Sequence, residues 1–346
     1  MTYIKGRVMS IAYADVIVDL QAGDTGKGKV AHALAKNYDV VLRYNGGANA
    51  GHTVYHNGQK VVTHQVPVGI FYNIPSIIGP GCVVNLPKLH EELAMLKALG
   101  FTAPLYIDKR VHVTTQQHIE EDGKDNKIGT TRQGIGPTYR DKYARTGQRI
   151  LEYLKLVDVG SPYSIIDIYN FLHWDATPYR ILCEGAQGFQ IDIDWGDYPY
   201  VTSSHCTTGA VCLNGISPKK IGTIYGIMKA YETYSGFKTH FTDEHDPILN
   251  RIQEAGGEIG ATTGRKRKVR WQYVDGVIQA ANINGVTDLI INKVDILEEV
   301  GVFKYVYMGK LYEITNVTEF KTAIDKIVLD HTDVRNITWS TTPNGI

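Results

Sequence analysis

The sequence predicts an α/β protein: one large domain, residues 1–346, built around a mostly parallel central sheet with long glycine-rich loops. Short runs of β-branched residues alternate with stretches of helical periodicity, as in chains that form parallel sheets. Several of these runs are apolar at successive positions, which is typical of strands buried on both faces. The 35 glycines cluster in the connections, and no repeat or linker divides the chain.

The predicted strands follow one another along the whole chain. They span residues 15–20, 40–43, 76–78, 181–183, 221–227 and 288–292. Helices are predicted at 30–36, at 88–99, where leucines recur every three or four positions, and at 277–283.

Composition excludes several classes of protein. The 36 basic and 36 acidic side chains balance, which argues against a protein that wraps nucleic acid through bulk charge. The four cysteines form no C-x-x-C pair and fit reduced thiols. No apolar run approaches the roughly 18 residues of a membrane span. We therefore expect a cytoplasmic protein with neither a nucleic acid nor a membrane as partner.

The first glycine-rich segment, Gly-Asp-Thr-Gly-Lys-Gly-Lys at 23–29, lies between a predicted strand and a predicted helix. Backbone N–H groups in such a turn can approach a phosphate, and the helix dipole favours the anion. The spacing is not that of a Walker A loop. A glycine-rich turn with solvated lysines remains an equal interpretation of this segment alone.

The second segment, at 45–53, follows the strand at 40–43 and ends in Gly51-His52-Thr53. Parallel sheets bind ligands at the carboxyl ends of their strands. That position favours a functional role for His52 over a purely structural one.

Four further motifs lie at 128–137, 184–188, 198–204 and 260–271. The last contains the basic run 265–270, which is usually a solvated face or a nucleic-acid patch. Its Thr-Thr-Gly lead-in instead indicates a mobile loop whose arginines grip carboxylate or phosphate.

Another motif, Asn-Lys-Val-Asp at 292–295, ends a predicted strand. The carboxylate of Asp295 could accept the N1–H and 2-amino hydrogens of guanine. Four residues are weak evidence on their own.

Together and in this order, the motifs resemble those of the adenylosuccinate synthetase family over essentially the whole chain. The family's GDEGKGK, NAGHT, IGTTGRGIGP, EGAQG, YPYVTSS, TTGRRRR and K-x-D motifs all have counterparts here, and 340–343 resembles its C-terminal base-binding turn. The resemblance implies the adenylosuccinate synthetase fold, which is similar to that of P-loop NTPases. It also implies an NTP-dependent ligase that joins L-aspartate to C6 of a 6-oxopurine nucleotide through a 6-phosphoryl intermediate.

Two departures from the family pattern fall near the nucleobase. Ala22 and Thr25 stand where the family has Trp and Glu. This pattern resembles the phage branch of the family, the N6-succino-2-amino-2′-deoxyadenylate synthases. That branch implies dGMP as acceptor and ATP or dATP as donor, in the synthesis of 2-aminoadenine for phage DNA, although Asp295 fits GTP better.

Three alternatives stay open from the sequence. One is an ordinary adenylosuccinate synthetase that uses IMP and GTP. Another is a regulatory P-loop-type GTPase, suggested by Asn-Lys-Val-Asp and the phosphate loop. The third is a nucleic-acid-binding module built on 265–270.

The resemblance also implies the chemistry of single residues. Asp24 would take the N1 proton as general base, so that O6 attacks the γ-phosphate. His52 would stabilise the departing oxygen, and Mg²⁺ would be held by Asp24 and the carbonyl of Gly51. Arg145 matches an arginine that the family supplies across a dimer interface, which implies a homodimer.

The remaining implied contacts form two groups. The triphosphate group comprises Gly23, Thr25, Gly26, Lys27, Gly28, Lys29, Gly51, Thr53, Arg267, Lys293, Asp295 and Thr342. The group for the monophosphate and L-aspartate comprises Asn49, Ala50, Thr130, Thr131, Arg145, Gln187, Thr202, Thr262, Thr263 and Arg265. Within it, Thr262, Thr263 and Arg265 match the positions that hold the aspartate carboxylates.

Overall fold

The computed structural model describes residues 11–155, 162–173, 178–238, 241, 246–260 and 264–342. Its strands are β1 (Tyr13–Asp19), β2 (Val40–Arg43), β3 (His52–His56), β4 (Gln59–Thr63), β5 (Ser76–Ile78), β6 (Val83–Val84), β7 (Leu105–Asp108), β8 (His112–Val113), β9 (Ser164–Ile166), β10 (Arg180–Glu184), β11 (Ile221–Lys229), β12 (Glu232–Tyr234), β13 (Lys268–Arg270), β14 (Gln272–Tyr273), β15 (Asp288–Asn292), β16 (Phe303–Tyr307), β17 (Lys310–Ile314) and β18 (Asn336–Ser340).

Helices lie between most of these strands. They are α1 (Lys27–Ala35), α2 (Leu86–Ala98), α3 (Gln116–Asp122), α4 (Ile135–Ala144), α5 (Ile150–Leu154), α6 (Ile168–His173), α7 (Gly209–Cys212), α8 (Pro247–Ala255), α9 (Val274–Asn284), α10 (Val294–Val300) and α11 (Val317–His331). Short 3-10 helices occur at Val68–Tyr72, Phe189–Ile191 and Pro218–Lys220. Within the residues described, no helix has the length and apolar character needed to cross a membrane.

A nine-stranded sheet forms the centre of the part of the chain that the structure describes. Its strand order is β18-β15-β11-β1-β10-β2-β5-β7-β9, and every neighbouring pair in it is parallel. The prediction of an α/β fold around a mostly parallel sheet is therefore confirmed.

Alternation along β1 shows how the sheet is covered on both faces. Val16 and Val18 are fully buried and belong to the same apolar cluster as Val277 of α9. Ile17, between them, belongs to the opposite cluster, with Val30 of α1. Successive side chains of a strand point to opposite faces, so a strand covered on both sides is apolar throughout.

The predicted elements agree with the observed ones apart from their ends. The strands at 40–43, 76–78 and 288–292 have the observed bounds. The first helix begins three residues earlier than predicted, at Lys27, directly after the glycine-rich segment. The sequence analysis missed β7, β9 and β18 of the central sheet; β9, for example, has three residues and none of them is buried.

Because the central strands are parallel, the loops that follow them meet at one edge of the sheet. The loops after β1, β2 and β10 are neighbours there, since β10 lies between β1 and β2. These loops carry the segments 23–29, 45–53 and 184–188 that the sequence singled out.

Candidate active site

A cavity of about 760 Å³ opens at this edge of the sheet. That volume lies within the range of small-molecule and cofactor sites. The predicted residues that line it are Gly23, Asp24, Gly26, Lys27, Gly28, Lys29, Asn49, Ala50, Gly51, His52, Thr53, Thr130, Thr131, Gln187, Thr202, Arg265 and Arg267. Loops separated by more than 200 residues in sequence therefore converge on one space.

Several predicted residues lie elsewhere. Arg145 is exposed, with left-handed backbone, at the end of α4, and does not line the cavity. Lys293, Asp295 and Thr342 also lie outside the lining. Thr262 and Thr263 fall outside the described residues, so the structure gives no position for them.

Thr25 faces away from the cavity that we expected it to line. It is 1% exposed, and its hydroxyl donates to Oδ2 of Asp19. The carboxylate of Asp19, at the end of β1, therefore holds this hydroxyl in the interior, and binding of the triphosphate by Thr25 stays a prediction.

The backbone of the first loop is shaped for close approach. Gly23, Asp24 and Gly26 all have positive φ, a conformation that glycine adopts without steric cost. A side chain at Gly26 would lie 2.9 Å from the amide nitrogen of Asn292, which itself donates to the carbonyl of Thr25 across 2.8 Å. The loop continues directly into the N-terminus of α1, where backbone N–H groups favour an anion.

The two lysines of this loop have different surroundings. Lys27 is buried, and its Nζ donates to Oδ2 of Asp19 across 2.7 Å. Lys29 donates to Oγ of Ser340 across 2.7 Å and to the carbonyl of Thr342 across 2.9 Å. Lys27 thus neutralises an interior carboxylate, whereas Lys29 joins the loop to the C-terminal segment.

Lys29 also lies between the cavity and the Asn-Lys-Val-Asp motif at 292–295. Burial lowers the pKa of Lys29 to about 8, with Asp295 opposing that shift and Lys293 adding to it. Asp295 and Lys293 therefore lie close enough to Lys29 to affect its charge, although neither lines the cavity. Both residues lie at the start of α10.

Asp24 is ion-paired across the cavity wall. Nε of Arg267 donates to its Oδ2 across 2.9 Å, and Nη1 of the same arginine donates to Glu258 across 2.6 Å. The side chain of Asp24 is 34% exposed, whereas that of Glu258 is fully buried. Arg267 therefore bridges an interior carboxylate and a cavity carboxylate.

His52 is 4% exposed, and among the described residues neither of its ring nitrogens has a hydrogen-bond partner. Burial, and then the nearby cations Arg43 and Lys27, lower its pKa well below the usual value. Its Nδ1 lies 3.7 Å from Glu184, which is itself paired with Arg43 at 3.3 Å. A buried imidazole with unused nitrogens, lining a cavity, is suited to hydrogen-bonding a ligand.

Gln187 presents a second unused polar atom. Its Oε1 is buried and has no hydrogen-bond partner among the residues described. The backbone of Gln187 has φ 58°, which turns the loop after β10 sharply at this point. The amide thus offers a polar group to whatever occupies the cavity.

Part of the cavity wall comes from residues 121, 122 and 124–131, of which only 128–131 belong to a motif predicted from the sequence. Two of its backbone carbonyls contact the loop that carries the basic run 265–270. Arg265 donates to the carbonyl of Gly129 across 2.7 Å and to that of Thr130 across 3.1 Å. The Arg265 guanidinium also lies over the ring of Phe237, 5.3 Å from its centroid. The two loops therefore meet at the cavity wall through one arginine.

A second cavity of about 280 Å³ adjoins the first. Ala22, Ile191, Tyr200 and Tyr234 line both cavities. Ala22, which stands where the family has Trp, thus lies at the junction of the two spaces.

Several buried charged side chains near the cavity were not predicted from the sequence. Glu184 was noted only as part of its motif, and neither Arg43 nor Glu258 was considered. The carboxylates of Glu184 and Glu258 are each 1% exposed, and buried acidic side chains are nearly always paired. Glu184 ends a buried strand, which is a signal that could have drawn attention to it.

The fold and this cavity define a nucleotide-dependent α/β enzyme: a phosphate-type loop enters a helix at the carboxyl edge of a parallel sheet, beside a buried imidazole and a carboxylate. The family model "Adenylosuccinate synthetase" matches residues 16–161 and 148–338. Adenylosuccinate synthetase of Geobacillus sp. (strain WCH70) is 39% identical over an alignment of 350 positions that spans 86% of this chain and 82% of that protein. The chain belongs to the adenylosuccinate synthetase family.

Two solved structures have the same fold. Fully ligated adenylosuccinate synthetase from Plasmodium falciparum superposes with a TM-score of 0.84 at 26% identity, over 96% of this chain and 98% of that one. The succinoaminodeoxyadenylate synthetase PurZ of cyanophage S-2L, bound to dGMP and to dATP as an energy donor, superposes with a TM-score of 0.71. It is 22% identical, over 92% of this chain and 99% of that one, and at that identity it shows the fold alone.

Membership of the family establishes the general chemistry. The chain is a ligase that forms a C–N bond with a nucleoside triphosphate. The family uses Mg²⁺ and binds an IMP-type nucleotide and L-aspartate. The regulatory GTPase and the nucleic-acid module are therefore set aside.

Proposed function

We propose that this chain catalyses the ordinary adenylosuccinate synthetase reaction, in which L-aspartate is joined to C6 of IMP with GTP as phosphate donor. The observation that carries the proposal is the cavity itself, in which Asp24 of the glycine-rich segment 23–29 lies with His52 and Gln187. The preference for IMP rests on relatives such as the Geobacillus enzyme, which is an adenylosuccinate synthetase. The preference for GTP rests on Asp295, a guanine-type carboxylate beside Lys29.

Asp24 is the proposed general base. Removing the N1 proton would place negative charge on O6, which then attacks the γ-phosphate to give the 6-phosphoryl intermediate. Displacement of phosphate from C6 by the amine of L-aspartate would form the C–N bond. Nε of Arg267, which donates to Asp24 across 2.9 Å, would hold that carboxylate at the cavity surface.

His52 is the proposed partner of the departing β–γ oxygen. Because burial favours its neutral form, it would act as a hydrogen-bond donor rather than as a permanent cation. Gln187, Asn49, Thr131 and Thr202 would hold the monophosphate nucleotide from the facing walls.

The residues present fit Mg²⁺, since a carboxylate facing the cavity and a backbone carbonyl are the oxygen ligands this ion prefers. We propose that Asp24 and the carbonyl of Gly51, both in the cavity lining, hold it. When bound, the ion would spread the charge of the transferring phosphoryl group. Lys29 and the N-terminus of α1 would bind the triphosphate beside it.

We further propose that residues 1–346 work as one ligase domain within a homodimer. Arg145 is exposed and lies outside its own cavity. An arginine in this position is free to reach the monophosphate site of a second copy.

A second candidate is the phage-type reaction, with dGMP as acceptor and ATP or dATP as donor, for the synthesis of 2-aminoadenine. One observation favours it: the small side chain of Ala22 lines both cavities, so the space beside the first cavity is open. A 2-amino group needs additional room at the edge of the purine ring.

A substrate matrix separates the two candidates. Purified protein is offered IMP or dGMP with GTP, ATP or dATP, and aspartate-dependent phosphate release is measured for each pair. Highest kcat/KM with IMP and GTP supports the main proposal, and highest kcat/KM with dGMP and ATP or dATP supports the second. Phosphate release that needs neither a monophosphate nor L-aspartate would contradict both.

A further inference from the structure

Glu258 is a buried carboxylate outside the cavity lining. It follows α8 and is 1% exposed. Lys229 donates to both of its oxygens across 2.8 Å, and the hydroxyl of Tyr231 donates across 2.7 Å. Burial would raise the pKa of Glu258, but Lys229 and Arg267 outweigh it and lower the pKa to about 2. The carboxylate is therefore ionised at neutral pH.

Lys229 supports this carboxylate from the sheet. It ends β11, is 2% exposed, and also donates to the hydroxyl of Thr233 across 3.1 Å. Burial lowers its pKa to about 8, with Glu258 opposing the shift. A buried ion pair is tolerated when further hydrogen bonds satisfy it, as they do here.

Arg267 is held to Glu258 at two points. Its backbone N–H donates to the carbonyl of Glu258 across 2.9 Å, and its Nη1 donates to the carboxylate across 2.6 Å. Beside these contacts, Ile259 and Lys266 are paired as an isolated bridge. Glu258 and Arg267 therefore pair at the base of the loop that carries Arg265.

We propose that Glu258, supported by Lys229, is a positioning residue that fixes the Arg267 guanidinium for the triphosphate. It accepts from Nη1 in the interior, while Nε of the same guanidinium donates to Asp24 in the cavity lining. An arginine without this anchor has many rotamers to lose on binding. A guanidinium held in advance binds an anion with less ordering cost. The inference rests on the proposed function, in which Arg267 binds the triphosphate.

The test is Glu258→Gln, with Glu254→Gln as the matched control on the exposed side of α8. Affinities for the triphosphate and for the monophosphate are measured separately at equilibrium, without L-aspartate, by titration calorimetry. We expect Glu258→Gln to weaken triphosphate binding about tenfold, as for loss of one charge-assisted hydrogen bond. Monophosphate binding should change less than about twofold, and Glu254→Gln should match the unchanged protein.

A purely structural role is distinguished by a second variant. Glu258→Gln leaves Lys229 buried without its counter-charge, which destabilises the fold. The double variant Glu258→Gln with Lys229→Met removes that charge and should recover much of the lost Tm. If triphosphate affinity stays weak in the double variant, Glu258 positions Arg267; if it recovers together with Tm, the proposal is overturned.

Failure of the proposed function would look different. In that case the unchanged protein would show no aspartate-dependent phosphate release with any pair in the substrate matrix. An active unchanged protein whose Glu258→Gln variant binds triphosphate normally would instead overturn the positioning role alone.

Discussion

Nε of Arg267 donates to Oδ2 of Asp24 across 2.9 Å, and this contact joins residues 243 positions apart in the sequence. The pair brings the proposed base and a proposed triphosphate ligand into direct contact. Since Arg267 is also anchored to Glu258, loss of the Asp24 carboxylate should leave the arginine in place. Asp24 can therefore be replaced without displacing Arg267 from the cavity lining.

We predict that Asp24→Ala slows product formation by about a hundredfold to ten-thousandfold, the usual contribution of a general base. Binding of the monophosphate should remain within a few-fold of the unchanged protein. Product is measured by aspartate-dependent phosphate release and binding by calorimetry. Asp333→Ala, which alters an exposed carboxylate outside the cavity lining, is the control. Normal activity in Asp24→Ala would refute the assignment.

Ala22→Trp should lower the ratio of kcat/KM for dGMP to that for IMP. The indole would fill the junction between the two cavities, which Ala22 lines on both sides. The measurement is the ratio itself, so that a general loss of activity cancels. An unchanged ratio would show that selectivity lies elsewhere.

Thr25→Glu is a poorer test of the same idea. The buried hydroxyl of Thr25 donates to Asp19, whose Oδ2 also accepts Lys27. A second carboxylate there would repel Asp19, so we expect Thr25→Glu to lower Tm in thermal unfolding. A Tm equal to that of the unchanged protein would mean that the longer side chain escapes into the cavity.

Triphosphate affinity should depend on pH through Lys29. Its pKa is lowered to about 8 by burial, and the anion binds the charged form. Affinity should be flat below about pH 8 and fall by up to about tenfold per pH unit above it. Lys29→Arg keeps its charge at every accessible pH, so its affinity should stay flat from about pH 7 to about pH 9.5, the range over which the lysine would lose its proton. The same decline in both proteins would assign the titration to another group.

Gly28→Ala should damage the site through packing alone. A methyl group at this position would lie 2.9 Å from Cβ of His52 and 3.1 Å from its Cα. Crowding of this kind costs about 1–3 kcal/mol, so Tm and triphosphate affinity should both fall. Gly209→Ala, where the nearest atom is 3.6 Å away, is the control and should leave both unchanged or slightly improved. Equal behaviour of the two variants would contradict the contact with His52.

The sequence predicted the sheet and the convergence of Asp24, His52 and Gln187 for one reason: parallel strands bring their carboxyl ends to a common edge. It could not predict the orientation of Thr25, because that depends on where the carboxylate of Asp19 points inside the fold. The pairing of Lys229 with Glu258 likewise has no local signal, since the two residues are 29 positions apart. The second cavity depends on what surrounds Ala22, which no motif encodes.

The position of β1 in the sheet sets the order in which the site can be built. This first strand pairs with β10 and β11, whose residues lie more than 160 positions later. As the chain leaves the ribosome, the glycine-rich loop therefore emerges long before the strands that flank it. Its contacts with Asn292, Ser340 and Thr342 can form only when nearly the whole chain has been synthesised, which links nucleotide binding to near-complete folding.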